Sequence, residues 1–139
     1  MRKILHNVVE GIRSRRQGRT TTEYEILWDN DTVLVNWLTL ENETGSVSFL
    51  WDSILVVETF KRDQFMVDCI CLAFEIQEGW IEVHENMKGW ANFLEALEQR
   101  LPGFPKKENW MRKVAFPPFV TNQTRLWAAF ADNKAEVSF

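Results

Sequence analysis

Apolar and polar side chains alternate with a period of two along residues 23–51, the pattern of strands that bury one face. Two clusters of turn-forming residues interrupt the alternation, at Asp29-Asn30-Asp31 and at Glu43-Thr44-Gly45. The pattern therefore predicts three consecutive antiparallel strands joined by short turns.

The next part of the chain has the same character. Residues 54–60 are rich in β-branched side chains, and residues 67–76 form the longest candidate strand. The polar cluster Lys61-Arg62-Asp63-Gln64 lies between them and predicts a turn. We therefore expect two further strands.

A turn around Glu78-Gly79 joins the strand 67–76 to a following one, and its length decides the register. A two-residue loop would pair Gln77 with Trp80 and set aliphatic residues of the two strands opposite each other. A three-residue loop would set Glu82 against the apolar face, and burying a carboxylate without a partner is costly. The sequence thus predicts the two-residue loop, with Glu75 facing Glu82 on the solvated side.

A helix is predicted at about 87–101, with Asn86 as its N-cap and Pro102-Gly103 at its end. Its apolar stripe is Trp90, Phe93, Leu94, Leu97 and Leu101. A second, shorter helix is predicted at 3–13, where Ile4, Leu5, Val8, Val9 and Ile12 recur at helical spacing. In the last third, Trp110 is placed on a short helical turn and 125–130 on a strand.

These elements predict an α+β fold with one domain over residues 1–139. Within it we distinguish a basic helix and linker at 1–19, a core of sheet and helix at 20–101, and an extension at 102–139. Strands without crossover helices between them favour a mostly antiparallel, strongly curved sheet, covered by the helix 87–101.

The order of strands followed by a helix resembles the pleckstrin-homology-like barrels of small uncharacterised bacterial proteins. The resemblance covers residues 23–101 and rests on Trp51-Asp52-Ser53-Ile54, Val57, Lys61, Asp63, Asp68, Ile70, Leu72, Phe74 and Trp90. It implies a binding scaffold without its own chemistry. Lipid-binding members hold headgroups with a basic loop, whereas the corresponding turns here, at 29–31 and 41–43, are acidic.

The net charge of −4 is unevenly distributed. Residues 1–19 carry six basic groups against one acidic, residues 20–104 carry four against sixteen, and residues 105–139 carry six against three. An acidic middle segment argues against nucleic acid as the partner and favours a basic protein. The expected interaction surface consists of Asp29, Asp31, Glu41, Glu43, Arg13, Arg15 and Arg16.

Cys69 and Cys71 are separated by one residue, which on a strand is unfavourable for a disulfide, so we expect free thiols in a reducing compartment. The sequence has no pattern of a secretory signal and no apolar run long enough to span a membrane. These features predict a cytoplasmic protein for which membrane contact is not expected. The oligomeric state stays open.

No motif indicates catalysis. Cys69, Cys71 and His84 share one face of the expected hairpin, but they lack a fourth ligand for zinc. Nothing in the spacing of Asp52, Glu58, Asp63, Asp68, Glu75 and Glu82 brings two carboxylates into one pocket. We therefore expect no catalytic residues, no metal and no cofactor.

The sequence predicts a non-catalytic protein-interaction module with an acidic central surface, and toxin-neutralising proteins are one type that fits. The alternative is a small-ligand-binding protein or enzyme with an aromatic cavity lined by some of Trp28, Trp37, Trp51 and Trp80. A deep cavity with converging polar groups would favour the alternative.

Overall fold

The computed structural model describes residues 22–64, 67–116 and 121–130. The strands are β1 (Glu23–Trp28), β2 (Thr32–Leu38), β3 (Thr44–Leu50), β4 (Val56–Gln64), β5 (Val67–Ile76), β6 (Gly79–His84) and β7 (Thr124–Ala128). A 3-10 turn at Trp51–Ser53 joins β3 to β4, and the helices are α1 (Trp90–Arg100) and α2 (Lys107–Ala115). The expected helix at 3–13 and the arginines after it lie outside the described residues.

The fold is α+β, with two antiparallel sheets. Strands β1, β2 and β3 form the first sheet in that order, and the second sheet has the order β6-β5-β4-β7. The described strands do not join into a closed barrel. In the part of the chain that the structure describes, no helix is long and apolar enough to cross a membrane.

The core lies where the inner faces of both sheets meet α1. Phe74 of β5 is fully buried, and its ring centroid is 5.5 Å from that of Phe49 on β3 and 5.8 Å from that of Phe93 on α1. Aromatic rings bury large apolar areas, so this cluster couples the two sheets to the helix.

Helix α1 begins at Trp90, and Gly89 is its N-cap, so the prediction of Asn86 as N-cap is wrong. The reason is a contact distant in sequence. Lys88 pairs with the edge of β1, where its N–H donates to the carbonyl of Tyr24 (3.0 Å) and its carbonyl accepts from the N–H of Ile26 (2.9 Å). After a turn closed by the hydrogen bond from the N–H of Met87 to the carbonyl of His84, Lys88 therefore lies beside β1, and the helix begins only after Gly89.

The β5–β6 hairpin has the expected two-residue loop, but with a register shifted from the predicted one. Ile76 pairs with Gly79 and Glu75 with Trp80, so the loop is Gln77-Glu78 and the predicted pairing of Glu75 with Glu82 is wrong. Both registers put the same side chains in the core, which is why alternation did not distinguish them. Gly79, with φ +146°, occupies the first position of β6, a conformation favoured only by glycine.

Residues 61–64 belong to β4, so the turn predicted there is wrong. Lys61 points into the protein and is only 4% exposed, because its Nζ donates a 2.7 Å hydrogen bond to the carbonyl of Ala115 at the end of α2. A tertiary contact thus holds a polar residue in a strand interior.

The chain after Pro102 contributes to the core. Helix α2 is longer than the turn predicted at Trp110, and it buries Trp110 and Val114. Strand β7 pairs with β4, with Val57 opposite Trp127. One carboxylate of α1 links the two helices, because Glu98 Oε2 accepts a 2.9 Å hydrogen bond from the backbone N–H of Lys107.

Candidate functional site

Strand β3 is an edge of the first sheet among the described strands. Ile26 and Tyr24 direct their backbone groups away from β2, toward Lys88. Ile26 is opposite Val35 in β2, so the backbone groups of Val35 point the other way, toward β3. Val35 is opposite Val47, and Val33 is opposite Phe49, so Val47 and Phe49 form hydrogen-bonded pairs with β2. The backbone groups that point outward along the free edge are those of Thr44, Ser46, Ser48 and Leu50.

The composition of β3 is unusual for an edge. Its seven residues, Thr-Gly-Ser-Val-Ser-Phe-Leu, contain no charge and no proline. Natural sheets blunt their open edges with charged side chains, prolines or bulges, since a bare edge pairs with other chains. Strand β3 has none of the charges or prolines, and its outward Ser46 and Ser48 have small side chains.

A cleft of about 480 Å³ lies between β3 and the start of β6. Its floor is apolar and is formed by core side chains of both sheets. The apolar residues lining it are Val47, Phe49, Leu50, Ile76, Trp80 and Ile81. Leu50 and Trp80, which also line it, are 52% and 49% exposed.

The charge around this cleft is negative. Glu78 is the charged side chain among its lining residues, and it is exposed. Asp52 lies in the 3-10 turn that follows β3, and Glu75 is paired with Trp80. Glu82, further along β6, accepts from Arg62 at 2.6 Å, so its charge is balanced by that guanidinium. A basic ligand is therefore favoured here.

The alternative hypothesis, a small-ligand-binding protein or enzyme, places four tryptophans around one cavity. In the described part of the chain they do not line a common cavity. Trp51 is buried against Phe93 in the core, and Trp37 extends over Gly45, where an added Cβ would clash with its ring. Trp28 lines a separate shallow cleft beside β1, together with Glu25, Lys88 and Asn92. Trp80 alone of the four lines the cleft between β3 and β6.

The carboxylates of the expected interaction surface lie at the two ends of β2. Asp29 and Asp31 flank the β1–β2 turn, and Glu41 and Glu43 the β2–β3 turn. Asp29 also has a structural role, because its Oδ1 accepts from the N–H groups of Asp31 (2.9 Å) and Thr32 (2.8 Å), which lowers the pKa of its carboxyl. Arg13, Arg15 and Arg16 lie outside the described residues.

Cys69, Cys71 and His84 do lie on one face, with His84 directly opposite Cys71. Both thiols are buried and free. Burial raises the pKa of Cys69 and raises the pKa of Cys71 to about 11, while burial lowers the pKa of His84. Among the described residues, no three histidine, cysteine or carboxylate side chains are arranged to hold a metal ion.

Two members of the carboxylate set on the second sheet have partners of their own. Glu58 accepts from Gln123 Nε2 at 2.7 Å, and Glu82 accepts from Arg62. The side chains of Asp63 and Asp68 lie outside the described part. Glu58 and Glu82 therefore bind neighbouring side chains.

Sequence reasoning missed the cleft because β3 and β6 are distant in sequence and only the fold brings them together. One signal was available, since residues 44–50 are uncharged in the most acidic part of the chain. Comparisons of the chain with protein-family models, with curated proteins and with solved structures each find no match. The function is therefore inferred from the residues themselves.

Proposed function

We propose that this protein is a non-catalytic interaction module that binds an extended, basic segment of a partner protein along the free edge of β3. The observation that carries the proposal is a seven-residue edge strand without charge or proline beside an apolar cleft. Strand addition uses these two features together, because backbone hydrogen bonds give affinity and alternate side chains enter a groove.

The outward groups of Ser46, Ser48 and Leu50 would pair with the backbone of the ligand. Every second ligand side chain would then point to the cleft floor, and an apolar residue there would cover Val47 and Phe49. Lysine or arginine at the flanking positions would meet the carboxylates around the cleft. The preferred ligand is thus an extended peptide with alternating apolar residues and basic flanks.

Selection from a random peptide library tests this proposal. Peptides retained by the wild-type protein should be basic and should alternate apolar with polar residues. Trp80→Ala should weaken their binding by about 2 kcal/mol, or roughly thirtyfold in Kd. Phe116→Ala is the matched control, since Phe116 is also exposed (66%) but does not line the cleft. Retained peptides that bind both variants equally would refute the site.

A second copy of the chain is the competing occupant. Size-exclusion chromatography with light scattering over a range of concentrations separates the two, because self-pairing through β3 would give a dimer that Ser48→Pro abolishes. Proline removes the outward N–H and is tolerated on sheet edges. We expect the same mass for wild type and variant. A dimer that is lost in Ser48→Pro would show that a second copy of the chain, and not a partner protein, binds the edge of β3.

The finer features of the account are proposals as well. The two antiparallel sheets followed by α1 are compatible with the pleckstrin-homology-like architecture, and such a scaffold would need no chemistry of its own. We also propose a cytoplasmic, bacterial protein with free thiols. Within that setting, neutralising a basic toxin by binding one of its extended segments is one role that the acidic surroundings of the cleft would suit.

A further inference from the structure

A depression of about 530 Å³, which we call the β5 depression, lies on the face of the second sheet that is turned away from the core. Ala73 of β5 has the smallest side chain of its lining residues, and the adjacent Leu72 and Phe74 point to the core instead. Directly opposite Ala73 are two longer side chains, Glu58 of β4 and Glu82 of β6. A small residue between two long ones leaves an open space above the middle strand.

One guanidinium already lies in this depression. The Cζ atom of Arg62 is 5.3 Å from the ring centroid of Phe60, and its Nη2 donates a 2.6 Å hydrogen bond to Oε1 of Glu82. Both partners of this ion pair are half exposed, so the pair contributes little to stability. The arrangement shows what suits this surface, namely a planar cation that lies on an aromatic ring and binds a carboxylate through its edge.

The charge of the β5 depression is negative. Its charged lining residues are two carboxylates, Glu58 and Glu82, and one guanidinium, that of Arg62. On the same face just outside the lining, Glu75 follows two residues after Ala73, and Arg125 lies opposite Glu58, so these two add one charge of each sign. One negative charge is therefore left over, which favours a cationic ligand.

Glu58 and Trp80 are the groups that can receive this cation. Glu58 Oε1 accepts a 2.7 Å hydrogen bond from Nε2 of Gln123, and a neutral amide does not balance the charge of a carboxylate. Trp80 is 49% exposed and lines both the β5 depression and the cleft beside β3. A ligand strand on β3 therefore needs to pass only one side chain to reach the depression.

We propose that the β5 depression binds the side chain of an arginine in the basic flank of the peptide, between Glu58 and Trp80. This inference rests on the proposed function, because the cleft beside β3 holds the rest of the peptide. Arginine suits the site better than lysine, since a guanidinium can lie flat on the indole ring and donate from its edge to the carboxylate. Arg62 opposes the incoming cation through its own charge.

A cycle of peptide and protein substitutions, measured in about 0.15 M salt to screen distant charges, tests this site. A selected peptide is compared with the same peptide carrying citrulline, the neutral isostere of arginine. Citrulline should weaken binding to wild type roughly tenfold and binding to Glu58→Gln much less, because contacting groups couple. Glu95→Gln, which removes an exposed carboxylate from α1, should bind both peptides as wild type does. Arg62→Met should strengthen binding of the arginine peptide, whereas Arg112→Met, exposed on α2, should not.

The methyl group of Ala73 separates this site from the edge of β3, because Ala73 does not line the cleft. Its NMR signal should shift with the arginine peptide and much less with the citrulline peptide, while both peptides slow amide exchange at Ser46 and Ser48. An unmoved Ala73 signal, or equal losses with citrulline in wild type and Glu58→Gln, would overturn the arginine site alone. Retained peptides without arginine, or a lysine peptide that binds as tightly, would do the same. If the arginine peptide does not slow exchange at Ser46 and Ser48, strand addition itself is refuted, and this inference with it.

Discussion

The ammonium of Lys61, in the middle of β4, donates a 2.7 Å hydrogen bond to the carbonyl of Ala115 at the last turn of α2. A cation at a helix C-terminus is favourable because the terminal carbonyls carry partial negative charge. Asn122 donates to the carbonyls of Val114 and Phe116, both at 3.0 Å, so the same helix end is held from two sides.

Lys61→Met should therefore destabilise the protein by about 1–3 kcal/mol, because it removes a charge-assisted hydrogen bond and leaves a carbonyl without its donor. Arg62→Met is the control. Arg62 is the next residue on β4, but its ion pair with Glu82 is half exposed and is worth at most about 1 kcal/mol. Urea unfolding of both variants measures the difference, and a loss in Arg62→Met as large as in Lys61→Met would contradict this role of Lys61.

The buried face of α1 predicts a second pair of effects. Leu97 is fully buried, so Leu97→Ala should cost about 2–5 kcal/mol of unfolding free energy. Glu95→Ala on the exposed face should change it by less than about 0.5 kcal/mol. Glu98 is not a neutral control, because it caps the first turn of α2. A similar loss of unfolding free energy in Glu95→Ala and Leu97→Ala would show that α1 does not pack on the core through the face that carries Leu97.

Gly89 predicts a sharp steric effect. It has φ +94°, and an added Cβ would lie 2.6 Å from the carbonyl oxygen of Ile26. Gly103 has φ +79° but nothing within 4 Å, so Gly103→Ala reports the backbone strain alone, about 1–2 kcal/mol. Gly89→Ala should lower the thermal midpoint further than Gly103→Ala does, and equal shifts would mean that the contact between Gly89 and β1 relaxes freely.

The buried thiols predict a pH dependence. Burial raises the pKa of Cys71 to about 11 from 9.0, so the fold favours the protonated thiol. That contribution is fully present below pH 9 and is lost as the pH rises toward 11. Wild type should lose more stability over this interval than Cys71→Ala does. Parallel stability curves for the two proteins, from urea unfolding at each pH, would argue against the shift.

Both thiols should also react slowly with Ellman's reagent at pH 8 in the native protein and rapidly in denaturant, because the thiolate is the reactive form. Zinc added to the reduced native protein should not protect them, since the described residues offer no converging third and fourth ligands. Tight zinc binding that is lost in Cys69→Ser would contradict this prediction.

Alternation of side chains was enough to predict the antiparallel strands and the buried stripe of the helix. Alternation fixes which face a residue occupies but not the register, so the sequence predicts Glu82 opposite Glu75, whereas the partner of Glu75 is Trp80. The predictions for Lys61 and Asn86 are wrong for a different reason. Their conformations depend on Ala115 and on the edge of β1, which are contacts that no local pattern contains.

The candidate site was the least predictable part. The acidic turns and the tryptophans are conspicuous in the sequence because of their residue types, whereas the cleft is lined mostly by ordinary apolar residues of two strands distant in sequence. Phe49 and Ile76, which line it, also belong to the core, so sequence alone cannot tell a filled core from an open one at these positions. What the sequence did contain was the absence of charge in 44–50.

Amide hydrogen exchange, measured residue by residue with and without a peptide selected on the wild-type protein, tests the central claim most directly. Strand addition to β3 should slow exchange at Ser46, Ser48 and Leu50, whose N–H groups point outward, and leave Val47 and Phe49, already paired with β2, nearly unchanged. Peptide binding that slows the two sets equally, or that leaves the outward amides unaffected, would contradict the proposed mode of recognition.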